Sequence, residues 1–301
     1  MGTTLSDIAC TTAALISLPL FATGVLAQDV NDHPATAELI SELKAFHPGT
    51  TQLIGLRFTM EPSWHIYWAG QNDTGMAPTV ELDLPEGFVA GEILWPTPHR
   101  YVSPGDILDH VYEGEITLLI PLTIDSTVEP GSTTIDASLE WLVCSDVCIP
   151  GWDDASISLP VASTGEEPSP GEGFASIHKS RAALAIPAPE TQVDFTTAWQ
   201  GEALTISPRG PVERVSFFPG PGSLFVESLL TSGEAKDGPL TLNFDTDGAP
   251  VEGVIGSSSA PRTKAARGII EIQRSPTAPP TRYTVSIPMP DPVMGPPERE
   301  R

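Results

Sequence analysis

Hydrophobic and polar residues alternate with period two along much of this chain, in short runs stopped by Gly and Pro. In the first half, Thr51–Thr59, Thr79–Leu84, Gly114–Ile124, Thr133–Val143 and Ala155–Val161 read as strands. In the second, Ala203–Ser207, Val212–Phe218, Leu240–Phe244 and Arg267–Gln273 read the same way. Helical spacing is scarce. Its clearest instance is Ala35–Phe46, where Ala37, Leu39, Ile40, Leu43 and Phe46 recur at helix-like intervals, although the stretch also fits an N-terminal strand. A short helix is predicted around Phe174–Ala185. Strands this dense, punctuated by turn residues, predict a mainly β protein organised as an antiparallel sandwich followed by a second, smaller β-rich domain.

Departures from the alternating pattern divide the chain. Residues Ile8–Ala27 are apolar or small, and Val25-Leu26-Ala27 before Gln28 fits a small-x-small cleavage site. Residues 1–27 are therefore expected to be a signal peptide, cleaved on export although its start holds Asp7 and no Lys or Arg. No later segment reaches the ~18 apolar residues of a membrane helix, so no stable membrane insertion is expected after cleavage. Residues 28–163 are expected to form the first domain, 164–185 a linker opening with Thr-Gly-Glu-Glu-Pro-Ser-Pro-Gly-Glu-Gly, and 186–287 the second domain. The Pro-rich residues 288–301 read as a disordered tail.

Charge narrows the partners. The formal net charge is −24, and Gln28–Pro170 alone carries 23 Asp or Glu against Lys44, Arg57 and Arg100. Such a front half argues against nucleic acid and anionic membranes, and for most of these charges solubility is the simpler reading. No G-x-S-x-G, H-E-x-x-H or phosphate loop occurs, so hydrolysis has no support and no cofactor or metal is assigned.

Candidate chemistry centres on cysteine. With Cys10 lost in the leader, the mature chain keeps two, in Trp141-Leu142-Val143-Cys144-Ser145-Asp146-Val147-Cys148-Ile149-Pro150. Residues four apart in one straight strand lie ~13 Å apart, beyond the ~7 Å Cα limit of a disulfide. A tight turn at Ser145-Asp146-Val147 between two strands would set the pair opposite each other. A loop of about five residues contributes only ~2 kcal/mol by chain entropy, so a local staple stabilises little, and redox exchange is the favoured role. No Lys, Arg or His is adjacent in sequence, and Asp146 between the two would raise a thiol pKa. Upstream, Trp64, Ile66 and Trp68 alternate with His65 and Tyr67, so one set is expected to face the core and the other outward. Functionally, His65 and Tyr67 are candidates to flank the thiols and assist proton transfer.

The cysteine segment, with Trp64-His65-Ile66-Tyr67-Trp68, Asn72-Asp73-Thr74-Gly75, Gly91-Glu92-Ile93-Leu94-Trp95-Pro96 and Tyr112-Glu113-Gly114-Glu115 in the same order, resembles the N-terminal periplasmic domain of the DsbD/ScsB thiol:disulfide interchange family. The resemblance covers about Thr50–Val161, and Val215-Ser216-Phe217-Phe218-Pro219 extends it weakly into the second half. It implies an immunoglobulin-like sandwich carrying a redox-active pair, Cys144 and Cys148, with Cys148 the one exposed to partners. It also implies a cap loop over the sulfurs, here about Tyr101–Leu108 with Ile107 as the covering residue. In such proteins electrons pass from a membrane-embedded domain to thioredoxin-like periplasmic proteins. This chain departs from the full-length pattern in showing neither a multi-helix membrane domain nor a thioredoxin domain with its own C-x-x-C, and its pair is more tightly spaced. The expectation is thus a periplasmic component of a protein-disulfide reductase system, loaded by a separate membrane-embedded thiol reductase. Two alternatives stand beside it: a Cu(I) site of the cysteines with Met60, His65 or Met76, and a non-catalytic interaction module.

Overall fold

The structure, a computed structural model, describes residues 33–163, 165–189, 193–251 and 263–290; the expected leader and residues 291–301 of the expected tail lie outside them. The first ten strands are β1 (Ala35–Ser41), β2 (Thr51–Met60), β3 (His65–Tyr67), β4 (Thr79–Asp83), β5 (Phe88–Ala90), β6 (His99–Ser103), β7 (Ile107–Glu113), β8 (Glu115–Ile124), β9 (Gly131–Cys144) and β10 (Cys148–Val161). One sheet runs β1-β2-β8-β5, and the other runs β10-β9-β3-β7-β6 with β4 also paired to β9. Every pairing is antiparallel. Inward residues of both sheets, among them Leu56, Phe58, Ile66, Leu118, Ile120, Ile135, Trp141 and Val143, form one core. This is the immunoglobulin-like sandwich that the alternation and the resemblance predict.

The helix expected at Ala35–Phe46 is instead β1 followed by two isolated bridges, Leu43 to Pro170 and Phe46 to Val161. Both faces of β1 are covered. Ala35 and Leu39 join the main core, while Ile40 points the other way into a small cluster with Leu53, Leu119 and Ile177. Burial on both faces breaks the period-two signal and imitates helical spacing.

Ile177 lies on helix α1 (Phe174–Ala182), which begins where a helix is predicted. Arg181 Nη2 binds Glu42 Oε1 at 2.7 Å, and the other Glu42 oxygen accepts the Leu53 N–H at 3.1 Å. The Gly171 and Gly173 N–H groups donate to Glu42 and Ser41 carbonyls. The stretch that composition marks as a linker is thus laid along the first sandwich.

Beyond it come β11 (Ile186–Pro187), β12 (Phe195–Gln200), β13 (Ala203–Pro208), β14 (Arg214–Pro219) and β15 (Phe225–Val226). Helix α2 (Leu229–Ser232), β16 (Glu234–Lys236), β17 (Leu240–Asp245), β18 (Ala265–Gln273) and β19 (Thr281–Pro288) complete the described chain. They form sheets β11-β19-β18-β14-β16 and β12-β13-β17-β15 around a second core that includes Leu204, Ile206, Phe217, Leu242, Phe244 and Ile270. Packing continues between the two sandwiches: Phe218 and Ile269 belong to the first core, Leu108 to the second.

His110 sits at this junction, fully buried, its ring centroid 5.2 Å from that of Phe218 and 5.7 Å from that of Trp68. Its Nδ1 lies 2.7 Å from the Gln71 carbonyl and therefore carries the proton, leaving Nε2 buried with no hydrogen-bond partner among the described residues. Burial, opposed by the Gln71 bond, pushes its pKa down to about 4. Between the ordinary value near 6.5 and about 4, the unfolded chain takes up a proton that the folded protein refuses. Stability contributed by neutral His110 is therefore complete above pH ~6.5 and falls by up to about 3 kcal/mol as pH drops toward 4. Urea unfolding of wild type and His110→Gln at pH 7.5 and 4.5 checks this: the variant is expected to lose distinctly less stability across that interval.

Candidate functional site

The register of the β9–β10 hairpin ends with Cys144 opposite Cys148, and Ser145-Asp146-Val147 makes the turn. The Ser145 N–H donates to Val147 O at 3.0 Å. The two Cα atoms are 4.1 Å apart and the sulfurs are joined in a disulfide. The sulfurs are not equivalent: Cys144 is 2% exposed, whereas Cys148 lies open on the edge strand.

The row continues into the sheet, with His65 of β3 opposite Cys144 on one side and Glu113 of β7 on the other. Residues paired in this way share a face. The face is the outer one, since Ile66 and Val143 between them point into the main core. Tyr67, Val111 and Cys144 form a separate small cluster there, with Tyr101 and Leu142 packed against it. His65 stacks at 5.3 Å from Tyr67 and 4.6 Å from Tyr101 between ring centroids. Of the reading that one set faces the core and the other faces outward, the structure keeps the two faces but not the solvent: His65 and Tyr67 are 3% and 2% exposed.

Tyr67 is the side chain that reaches the exposed sulfur, with its hydroxyl 3.9 Å from Cys148 Sγ. Burial raises its pKa, the Asp109 carboxylate and Tyr101 add to this, and a hydrogen bond with the Thr74 side chain opposes it. Tyr67 therefore stays neutral, and its single hydrogen has two acceptors, Thr74 Oγ1 and Cys148 Sγ, of which a Cys148 thiolate is the stronger. Thr74 Oγ1 donates in turn to Asp109 Oδ2 at 2.6 Å, and the Thr74 N–H donates to Oδ1 at 3.0 Å. Burial lowers the His65 pKa below its ordinary value, more than the Glu113 and Asp109 carboxylates raise it, with His99 adding to the lowering. His65 is accordingly neutral near pH 7, with Nδ1 buried and without a hydrogen-bond partner in the described structure. His65 therefore holds no standing positive charge beside Cys144, its partner across the β3–β9 register.

The remaining candidates separate. Asp146 is exposed at the tip of the turn. Ile107 opens β7, six residues along that strand from the Glu113 row, or ~20 Å at strand rise, so it is not placed as the cover over the sulfurs. From the stretch 101–108 it is Tyr101 that joins the cysteine cluster. Met60 is buried in the main core, on the opposite face of the sheet from Cys144, and Met76 is 71% exposed. Sequence reasoning missed Thr74, Asp109 and Gln71 as parts of the site's support. Asn72-Asp73-Thr74-Gly75 was the available signal, since a cluster of short polar residues bonds backbone wherever it lands. An apolar cavity of about 1050 Å³, lined by residues such as Trp68, Leu82, Phe88, Trp95 and Ile269, includes neither cysteine. No helix among the described residues is long and apolar enough to cross a membrane.

Comparison with known proteins agrees with this chemistry. The family model of the N-terminal part of thiol:disulfide interchange protein DsbD matches residues 36–160. The N-terminal periplasmic domain of ScsB from Proteus mirabilis aligns over 88% of this chain and 97% of its own, at 18% identity with a TM-score of 0.50, a likeness of fold. The reduced N-terminal domain of Neisseria meningitidis DsbD aligns over 45% of this chain and 90% of its own, at 12% identity and a TM-score of 0.27, too low to carry an argument. No curated protein matches.

Proposed function

Residues 36–160 belong to the family of DsbD N-terminal thiol:disulfide interchange domains, and from this we propose that the chain is a periplasmic electron relay. It takes electrons from a separate membrane-embedded thiol reductase and passes them through Cys144 and Cys148 to thioredoxin-like proteins. The observation that carries this reading is the asymmetry of the pair, one sulfur open on an edge strand and its partner buried four residues away.

In the donating direction, the Cys148 thiolate attacks a disulfide of the acceptor. A Cys148–acceptor bond forms as the acceptor's own S–S bond breaks, and the displaced acceptor sulfur leaves as a thiolate. The Cys144 thiolate, its proton given up to His65 or solvent, then attacks Cys148 Sγ. This closes the intramolecular disulfide and releases the acceptor's second sulfur. Two electrons and two protons have moved, and the reductase reverses the sequence on the next cycle. The Tyr67 hydroxyl supports the first attack by donating to the Cys148 thiolate, and shielded Cys144 waits for the mixed disulfide. Val147, 61% exposed, is next to Cys148, and Trp152, 74% exposed, lies four residues on, ~13 Å along the strand, with Cys148, Pro150 and Trp152 on one face of β10. That rim suits a partner whose redox cysteines lie in an apolar surface.

Trapping tests the proposal. Reduced Cys144→Ala keeps the attacking sulfur and lacks the resolving one, so it is expected to accumulate a mixed disulfide with a thioredoxin-like protein from a periplasmic extract. The adduct should be sensitive to reductant and absent from the Cys144→Ala/Cys148→Ala double variant. Failure of both single variants to capture such a protein would remove the relay reading. Uptake of one Cu(I) per reduced chain, lost in the same variants, would favour the soft-metal alternative.

A further inference from the structure

The loop after β3 joins the second sandwich to the redox pair. Gln71 is buried, and its side chain meets the backbone of β15 as a strand would: Oε1 accepts the Val226 N–H at 2.8 Å while Nε2 donates to Val226 O at 2.9 Å. Its own N–H donates to Pro219 O at 2.8 Å. The next residues fasten to β7. Asn72 Oδ1 accepts the His110 N–H at 2.7 Å, Asp73 Oδ2 accepts the Leu108 N–H at 2.7 Å, and Thr74 donates twice to Asp109. Gly75 then lies flat against the Tyr67 ring, so close that a Cβ there would overlap ring carbons. The Tyr67 hydroxyl is the group that touches Cys148 Sγ.

We propose that Gln71 is a positioning residue through which the second sandwich sets the Tyr67 hydroxyl against Cys148, and so sets how readily the pair is reduced. The inference rests on the thiol-exchange reading of the Cys144–Cys148 pair. A buried amide that satisfies both polar groups of one residue 155 positions away fixes the loop's height above the sheet far better than apolar contact would, because any shift leaves two backbone groups and the amide itself without these bonds in a buried junction. Around the sulfurs stand His65 and Tyr67 of β3, His99 and Tyr101 of β6, Asp109 and Glu113 of β7, and Asp146 of the turn. Of these it is Tyr67 that meets the exposed sulfur as an uncharged donor, so a hydroxyl held in place favours the thiolate and hence the reduced form. Freeing the loop weakens that bond, and the equilibrium moves toward the disulfide.

The measurement is the equilibrium constant of the full chain with glutathione, read from the redox state of Cys144 and Cys148. Gln71→Met keeps the volume and removes both bonds to Val226; it is expected to shift the constant about tenfold toward the disulfide, equivalent to ~30 mV. Tyr67→Phe, which deletes only the hydroxyl, should shift it by a similar factor, and the double variant should add little to either single change. Leu242→Ala, a truncation in the second core, is expected to lower the unfolding midpoint while leaving the constant where it is. A wild-type constant in Gln71→Met or in Tyr67→Phe overturns the proposal, as does an equal shift in Leu242→Ala. Should Gln71→Met not fold, Gln71→Asn, one methylene too short to meet both Val226 groups, takes its place: a shift toward the disulfide is expected, and a wild-type constant overturns the proposal. A chain that traps no partner refutes the relay and leaves this coupling standing; unchanged constants in a chain that does trap a partner refute the coupling alone.

Discussion

Cys148→Ala is expected to abolish disulfide exchange, lowering turnover on the order of 10³-fold or more, whereas Cys144→Ala stops only the second half of the cycle. The difference follows from exposure. Thiol–disulfide exchange needs the attacking sulfur, the attacked sulfur and the leaving sulfur in line, and Cys144, at 2% exposure behind Tyr67, Val111 and Leu142, has no room to meet a partner's disulfide in that way. Cys148 has that room. Mixed in stopped flow with an aromatic disulfide whose thiol absorbs, reduced Cys144→Ala should release one equivalent in a fast phase and then stall as the mixed disulfide. Reduced Cys148→Ala should show no fast phase, and wild type should release two equivalents. Equal bursts from the two single variants would mean that the sulfurs are interchangeable and that burial does not order the steps.

Much of this site is written locally. The turn between the cysteines is legible from their spacing, and the long strand β9 from its single buried face, which imposes a period of two. Legibility fails where burial follows another rule. β7 carries Asp109 and His110, both buried, in a stretch where the pattern suggests surface. They are inside because Thr74, Asn72 and Gln71 satisfy them from 35 to 39 residues away. β1 fails for the opposite reason, having apolar partners on both faces. Ile107 illustrates a third limit: an apolar residue in the right segment is a reasonable cover for a disulfide, but only strand register tells that Tyr101, not Ile107, packs with the cysteine cluster. The local sequence thus names the sulfurs and two of their neighbours, and pairings across 35 to 155 residues decide how those neighbours are held.

Gly75→Ala is the substitution expected to damage the site most without touching a reactive group. Gly75 has no positive φ to excuse; the demand is steric, because a Cβ would occupy the space of Tyr67 Cδ1, Cε1 and Cζ. The ring cannot easily give way, being 2% exposed and stacked edge-on against His65. Nor can the loop rise freely, since Thr74 is bonded twice to Asp109 and Gln71 twice to Val226. Overpacking of this kind costs roughly 1–3 kcal/mol, and here each way of relieving it breaks a buried hydrogen bond worth about 1 kcal/mol more. We expect a loss of about 3 kcal/mol in urea unfolding, together with a redox equilibrium shifted in the same direction as in Tyr67→Phe. Gly131→Ala is the matched control, because nothing lies within 4 Å of the added methyl and its φ is not positive. It should change stability by less than ~0.5 kcal/mol and leave the pair's redox equilibrium as in wild type. If Gly75→Ala behaved like Gly131→Ala, the ring would have a second resting place, and its hold on Cys148 would have to come from the strand alone rather than from the loop above it.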